Sequence, residues 1–365
     1  MRRRTYLTGL AGAGAAALAG CSGLVETRAI PSSPPVLSNR PSAVYFPTHV
    51  EGMRMSGMAA SGEYRFGLMY SYPHRFWNVN GTSASMTEIA EEDDVHLMAT
   101  VWDPETNTVL PDTGLSLEIS KGDELVSEEV IYPMLSQPMG FHYGANFGLD
   151  GDGTYTVTAT VGGVSTRRTG GFEGRFEDPA SADIEFEYAQ AERDEISFER
   201  TMDRAGEPAA SAPMMMGGMG DGDGGMSMPL SVLPEPADLP GTTRGEATSG
   251  DARLVVQSLA SPPSGVEGTA DAQYLYVSAR TPYNRMVVPA MGLEGTLTRD
   301  GETVFEGELV RTLHPEAKYH YGAAVPSVES GDTLSLSVTV PPQVARHEGY
   351  ETAFLEMADT EVTLS

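Results

Sequence analysis

The residues of this 365-residue chain that invite chemistry are histidines and methionines at strand spacing. His96 and Met98 stand at i and i+2 of the alternating run Val95-His96-Leu97-Met98-Ala99, so in an extended strand both side chains leave the same face. A second group follows in Tyr132-Pro133-Met134-Leu135-Ser136-Gln137-Pro138-Met139-Gly140-Phe141-His142, which offers Met134 or Met139 together with His142. A loop after Pro133 would carry these over the strand face, into the interior of the sandwich described below. Imidazole and thioether donors without a thiolate select copper, above all cuprous copper, over zinc, calcium or magnesium. The competing reading is structural, with Met98 in the core and the histidines held by hydrogen bonds.

Positioning such donors falls to short alternating segments. Tyr64–Tyr70, Val95–Val101, Leu115–Ile119, Tyr155–Val161 and Ile184–Tyr188 are separated by Gly, Pro, Asp and Asn, and a second block runs over 253–258, 274–279, 293–298, 303–309, 334–340 and 361–364. Period-two runs at this spacing predict an all-β chain of two antiparallel β-sandwiches of the immunoglobulin-like kind, over 42–204 and 251–365. The blocks are copies. His142-Tyr143-Gly144-Ala145 recurs 178 residues later as His320-Tyr321-Gly322-Ala323, and the same ungapped register pairs Leu97 with Leu275, Pro104 with Pro282, Pro111 with Pro289 and Leu135 with Leu313. Between them, residues 205–250 are rich in Gly, Pro, Met and Asp without periodicity and read as a disordered linker. Six methionines fall there (Met214, Met215, Met216, Met219, Met226 and Met228), either as a copper-passing arm or as low-complexity drift.

The chain carries 51 acidic against 23 basic residues, and its only lysines are Lys121 and Lys318. So acidic a surface excludes nucleic acid as the natural partner and suits concentrated salt, which screens self-repulsion. At the N-terminus, Arg2-Arg3-Arg4 and a short Gly/Ala/Leu run ending in Leu18-Ala19-Gly20-Cys21 read as a twin-arginine lipoprotein signal over 1–21. Cys21, the only cysteine, would be lipidated and would anchor the protein to the outer face of the cell membrane, behind a Ser/Pro tether over 22–41. No thiol then remains for disulfides or thiolate ligation. None of the seven histidines sits in a nucleophile-elbow, HExxH, P-loop or dinucleotide pattern, so no enzyme activity is expected.

The run Val95-His96-Leu97-Met98-Ala99, then Pro133-Met134, then His142-Tyr143-Gly144-Ala145-Asn146, resembles the ferrous-iron transport protein family, exported immunoglobulin-like proteins accessory to iron uptake. The likeness runs from about Met53 to Asp178 and, more weakly, through the second copy. It implies His96, Met134 and His142 as ligands of copper or iron, adds His74 in Tyr72-Pro73-His74-Arg75 where the family has an upstream methionine, and implies an iron permease as partner. Two departures soften the site: Met98 replaces the family's glutamate, and the later Arg-His reads Arg175-Phe176, with the loss of an imidazole. Both favour cuprous copper and disfavour tight ferrous binding. The second copy keeps His320 and Arg346-His347 but has Tyr274, Tyr276 and Thr312 at the other ligand positions, which reads as a degenerate or structural site. A metal-free surface scaffold of paired sandwiches is the alternative. If the signal is used as read, Cys21→Ala abolishes membrane partitioning and leaves precursor or released protein; soluble wild type with an unmodified N-terminus would contradict the anchor.

Overall fold

Alternation decides which way each strand faces. In the strand Val95–Trp102, Val95, Leu97, Ala99 and Val101 enter the main apolar core, while His96, Met98 and Trp102 leave from the other face. The partner sheet is built in the same way: in Ala180–Tyr188, Ala182, Ile184, Phe186 and Tyr188 are buried between exposed neighbours. The computed structural model describes residues 33–213 and 228–365, and these fall in one compact unit.

The architecture is all-β and antiparallel in the main, as the sequence predicts. In the first copy an eight-stranded sheet runs in the order Arg54–Ser61, Tyr64–Ser71, Val95–Trp102, Gly140–Phe147, Tyr132–Ser136, Ala345–Arg346, Phe76–Asn80, Ser83–Thr87. Its sandwich partner has the order Ala180–Tyr188, Gly153–Val161, Ser116–Lys121, Glu124–Val130. The second copy pairs a six-stranded sheet (Arg167–Arg168, Val310–His314, Lys318–Val325, Gln273–Arg280, Ala252–Leu259, Thr242–Ser249) with a four-stranded one (Glu302–Glu308, Gly292–Arg299, Thr333–Val340, Thr360–Thr363).

Each large sheet contains a strand from the other copy. Ala345–Arg346 lies parallel to Tyr132–Ser136, with Ala345 opposite Met134 and Arg346 opposite Leu135. Arg167–Arg168 lies parallel to Val310–His314, with Arg167 opposite Thr312 and Arg168 opposite Leu313. Both contacts obey the 178-residue register, so the exchange is reciprocal.

Three boundary expectations change. Residues 205–250 are not one linker: Ser211 donates its backbone N–H to Gln137 Oε1 at 2.7 Å, Met228, Leu233 and Leu239 are buried, and Thr242–Ser249 is the edge strand of the second large sheet. Sequence periodicity misses that strand because it is an edge of Thr, Gly and Ala with a bulge between Thr243 and Gly245. The second copy therefore begins before 251. The tether also ends before residue 41, since Pro34 accepts from Arg75 at 2.7 Å and Arg40 pairs with Glu351 at 3.1 Å. The signal with Cys21, the tether up to residue 32, and Met214, Met215, Met216, Met219 and Met226 lie outside the described residues.

The exchanged strand is fixed by Arg346, fully buried, whose guanidinium donates to the carbonyls of Pro342 at 3.0 Å, Phe354 at 3.4 Å and Ala353. Burial lowers its pKa to about 9. Arg346→Met leaves those carbonyls without a partner and is expected to cost about 2–4 kcal/mol in chemical denaturation at fixed salt. A loss below about 0.5 kcal/mol, the range of an ordinary surface substitution, would show that the docked strand does not depend on it.

Candidate metal centre

The face of the eight-stranded sheet that points away from the sandwich core carries the site. His142 stands opposite Met134, Asn146 opposite His96, and Gly144 opposite Met98, which puts all of them on that one face. The interior location expected from sequence is therefore wrong: the space between the sheets is filled by Leu97, Ala99, Tyr143 and Ala145, and the donors project outward.

Three imidazoles meet there. Ligand nitrogens of His74, His96 and His347 all lie within 4.8 Å of one another. The Met134 thioether sulfur is 3.3 Å from His347 Nε2, and the His142 ring is 5.2 Å from that of His347, centroid to centroid. His347 follows the exchanged strand, and its backbone N–H donates to Leu135 at 3.1 Å. The sequence places it in a second-copy site with His320; the strand exchange delivers it to the first copy instead, supplying the imidazole that Arg175-Phe176 lacks. In the 178-residue register its own counterpart is Thr169.

The second nitrogen of each ring explains the orientation. His142 donates from Nδ1 to the Gly140 carbonyl at 3.0 Å, His96 from Nδ1 to Asn146 Oδ1 at 2.8 Å, and His74 from Nδ1 to Glu51 Oε2 at 3.0 Å. With Nδ1 carrying the proton, each Nε2 presents a lone pair, and Nε2 of His74, His96 and His142 is buried without a partner. Imidazoles that hold a metal are oriented by such partners on the far nitrogen. Three orphaned acceptors in one place fit a cation, since an uncompensated buried polar atom is costly. Burial also holds His96 and His347 well below the usual imidazole pKa and His142 down to about 4, so these rings stay neutral in mild acid. Burial alone would raise the Glu51 carboxyl, but the neighbouring His74 and His49 imidazoles outweigh it and bring it down to about 2.

The site opens through a cleft of about 80 Å³ whose lining includes His49, Glu51, His74, Met98, His347 and Glu348. His49 and Glu51 come from the short strand His49–Glu51, with the His49 ring stacked on Phe198. Neither was a candidate from sequence, because no repeat or spacing ties them to His96; the carboxylate absent at Met98 thus arrives from a different strand. Met98 itself lines the cleft but packs with Met69, Met139, Met228 and Trp102 in a separate cluster, and Met139 lies in that cluster rather than among the imidazoles.

Comparison with known proteins adds the following. A family model described as a domain of unknown function (DUF7350) matches residues 237–363. No curated protein matches the chain. The chain is similar to FetP. Its match to the crystal structure of as-isolated FetP from uropathogenic Escherichia coli strain F11 is 24% identical with a TM-score of 0.30, covering 39% of this chain and 96% of that one. A copper-bound variant of FetP matches at 23% identity and TM-score 0.30, covering 39% of this chain and 92% of that one.

The motif His-Tyr-Gly-Ala-Asn now reads residue by residue. His142 is a donor and Asn146 holds both His96 and, through its amide N–H to the His74 carbonyl at 3.1 Å, the segment of His74. Tyr143 turns inward, where its hydroxyl accepts from the backbone N–H of Thr113 at 3.0 Å, and Tyr321 repeats this with Met291 at 3.1 Å. Gly144 makes room: a Cβ there would lie 2.8 Å from His96 Nε2 and 3.3 Å from Met134 Sδ.

In the second copy the same place is filled. Tyr274, in the position of His96, hydrogen-bonds His320 Nε2 at 3.0 Å, and Arg167 from the exchanged strand reaches Tyr274 at 3.1 Å, Thr312 at 2.7 Å and the Gly322 carbonyl at 2.7 Å. Burial pushes His320 down to about 3. His320 is thus committed to a protein network and stands apart from His347. The two glycines separate the roles experimentally. Gly144→Ala is expected to weaken copper binding about 10–100-fold with little loss of stability. Gly322→Ala, whose Cβ would collide with the Tyr274 hydroxyl, is expected to lower the unfolding midpoint and leave copper affinity unchanged. Equal copper affinity of the two variants would contradict this assignment.

Proposed function

We propose that this is an extracytoplasmic, lipid-anchored copper-binding protein accessory to iron uptake, a binder rather than an enzyme. The observation that carries the metal reading is the convergence of three partnerless, buried Nε2 atoms beside the Met134 sulfur. His74, His96, His142, His347 and Met134 would hold the ion, four borderline imidazoles and one soft thioether with no anionic ligand among them, a neutral set that suits copper and favours the cuprous state. Glu51 accepts from His74 Nδ1 and so orients that ring, and cupric copper or iron would bind the same centre more weakly. The iron-uptake role and a permease partner rest on the resemblance of the His-Tyr-Gly-Ala-Asn element to the ferrous-iron transport family, and the location rests on the signal ending in Cys21. No helix among the described residues is long and apolar enough to cross a membrane.

One observation favours the scaffold reading: in the second copy the corresponding space is filled by the side chains of Arg167, Tyr274 and His320, hydrogen-bonded to one another. Anaerobic competitive titration separates the two. Wild type is expected to take up cuprous copper stoichiometrically, ahead of zinc and ferrous ion, and His347→Ala to bind it about 100-fold more weakly although that residue belongs to the second copy. Absence of stoichiometric copper in wild type would leave the scaffold reading standing.

A further inference from the structure

Seven methionines and one tryptophan form a cluster of their own on the outer face of the first large sheet. Met69, Met98, Met139, Met228 and Trp102 are buried, with Met53, Met55 and Met58 packed against them. The main core, which runs through both sandwiches, has only Met286 and Met291 among its buried members and is otherwise built from aliphatic, aromatic and alanine side chains.

The register makes the arrangement specific. Met55 stands opposite Met69, and Met69 opposite Met98, so three thioethers cross three adjacent strands in one row. Directly opposite side chains share a face with Cβ atoms about 4.5–5.5 Å apart. A bulge between Met55 and Gly57 brings Met58 opposite Gly67, on the same face as Met55 although three residues away. Gly67 has no side chain, and the sulfur of Met228 lies where its Cβ would be, with Trp102 Cζ3 at 3.1 Å from the same point. The row ends at Gly144, opposite Met98, beneath His96 Nε2 and the Met134 sulfur.

Packing does not call for methionine at these places. In the second copy the same three-strand row is Thr243, Gln257 and Tyr276, in the same pairing, with Gln257 donating to Thr243 at 2.9 Å. Trp102 and Met139 are there replaced by Arg280 and Ala317. One backbone therefore tolerates a polar row, and the thioethers are a property of the first copy alone.

We propose that Met55, Met69 and Met98, enclosed by Met139, Met228 and Trp102, form a second metal site, made of thioethers only and selective for a soft monovalent cation, cuprous or silver ion. Neutral sulfur donors bind such ions and reject hard ones, and an indole face adds cation–π attraction. Access is from the sheet edge, where Met53, Met55 and Met58 are half-buried, and Met53 and Met98 also line the cleft of the imidazole centre. The site goes beyond the imidazole centre and does not require it.

Silver ion, which undergoes no redox change, is the probe, used on the full chain in chloride-free concentrated sodium nitrate. With the imidazole centre disabled by His142→Ala and His347→Ala, the protein is expected to retain a silver equivalent that quenches tryptophan emission, and Trp102→Phe to remove the quenching. Adding Met69→Leu and Met98→Leu, which conserve volume, is expected to weaken that equivalent at least about 10-fold. Met69→Leu alone, at a residue outside the lining of that cleft, leaves cuprous binding at the imidazole centre of the otherwise wild-type chain, so loss of one site is read separately from loss of the other. Three results overturn the proposal: no silver bound by the histidine variant, unchanged affinity in the leucine variant, or bound silver without quenching, which would place it on the methionines of 214–226. Should the leucine variant fail to fold, the Trp102-dependent quenching in the folded histidine variant decides.

Discussion

The buried guanidinium of Arg346 and the carbonyls it caps hold a strand of two residues in a sheet that belongs to the other copy. So short a strand has few ladder bonds, and nothing in its own propensity would keep it there. Once fixed, it places the next residue, His347, over Met134 and between His74 and His142. The imidazole centre is therefore a product of the duplication, since the ring beside the Met134 sulfur comes from the second copy.

The donors owe their state to the side of the sheet they occupy. Leu97, Ala99, Tyr143 and Ala145 close the sandwich, which leaves the alternate positions to be covered by the exchanged strand, by the His49–Glu51 strand and by Ser211 and its neighbours. That cover is deep enough to desolvate the rings of His96 and His142, which keeps them neutral, and polar enough to leave their Nδ1 atoms hydrogen-bonded to Asn146 and Gly140. A drier face would have favoured carbon side chains throughout, and a wetter one would have satisfied each Nε2 with water.

Much of this was legible beforehand. The strand periods, the duplication and the facing of His96 and Met98 follow from alternation, and His142 from its motif. What escaped was non-local. His49, Glu51 and His347 reach the site through pairings across about 150 to 210 residues of chain, and no local period encodes them. The Arg-His element was sought inside the first copy, at Arg175-Phe176, because contiguity was assumed; the structure places Arg175 instead on Asp103 at 2.8 Å and Glu63 at 2.8 Å. Thr242–Ser249 escaped because ten additional residues between Ser71 and Val95 break the constant register on which the repeat was traced.

The two copies answer one electrostatic problem in two ways. In each, an exchanged strand runs along the strand that carries Met134 or Thr312, and the histidine of the repeated motif points its Nε2 into the same space. The first copy leaves lone pairs there, on the Nε2 atoms of His74, His96 and His142, and its nearby guanidinium, Arg75, is paired with Glu348. The second copy supplies the cation covalently, as Arg167, and a tyrosine hydroxyl to meet the lone pair of His320. A built-in guanidinium holds its place without a ligand, which suits the copy that donates His347 and must keep its own frame rigid to do so. The two copies have thus diverged, one keeping buried imidazoles with open lone pairs and the other a built-in guanidinium in the corresponding space.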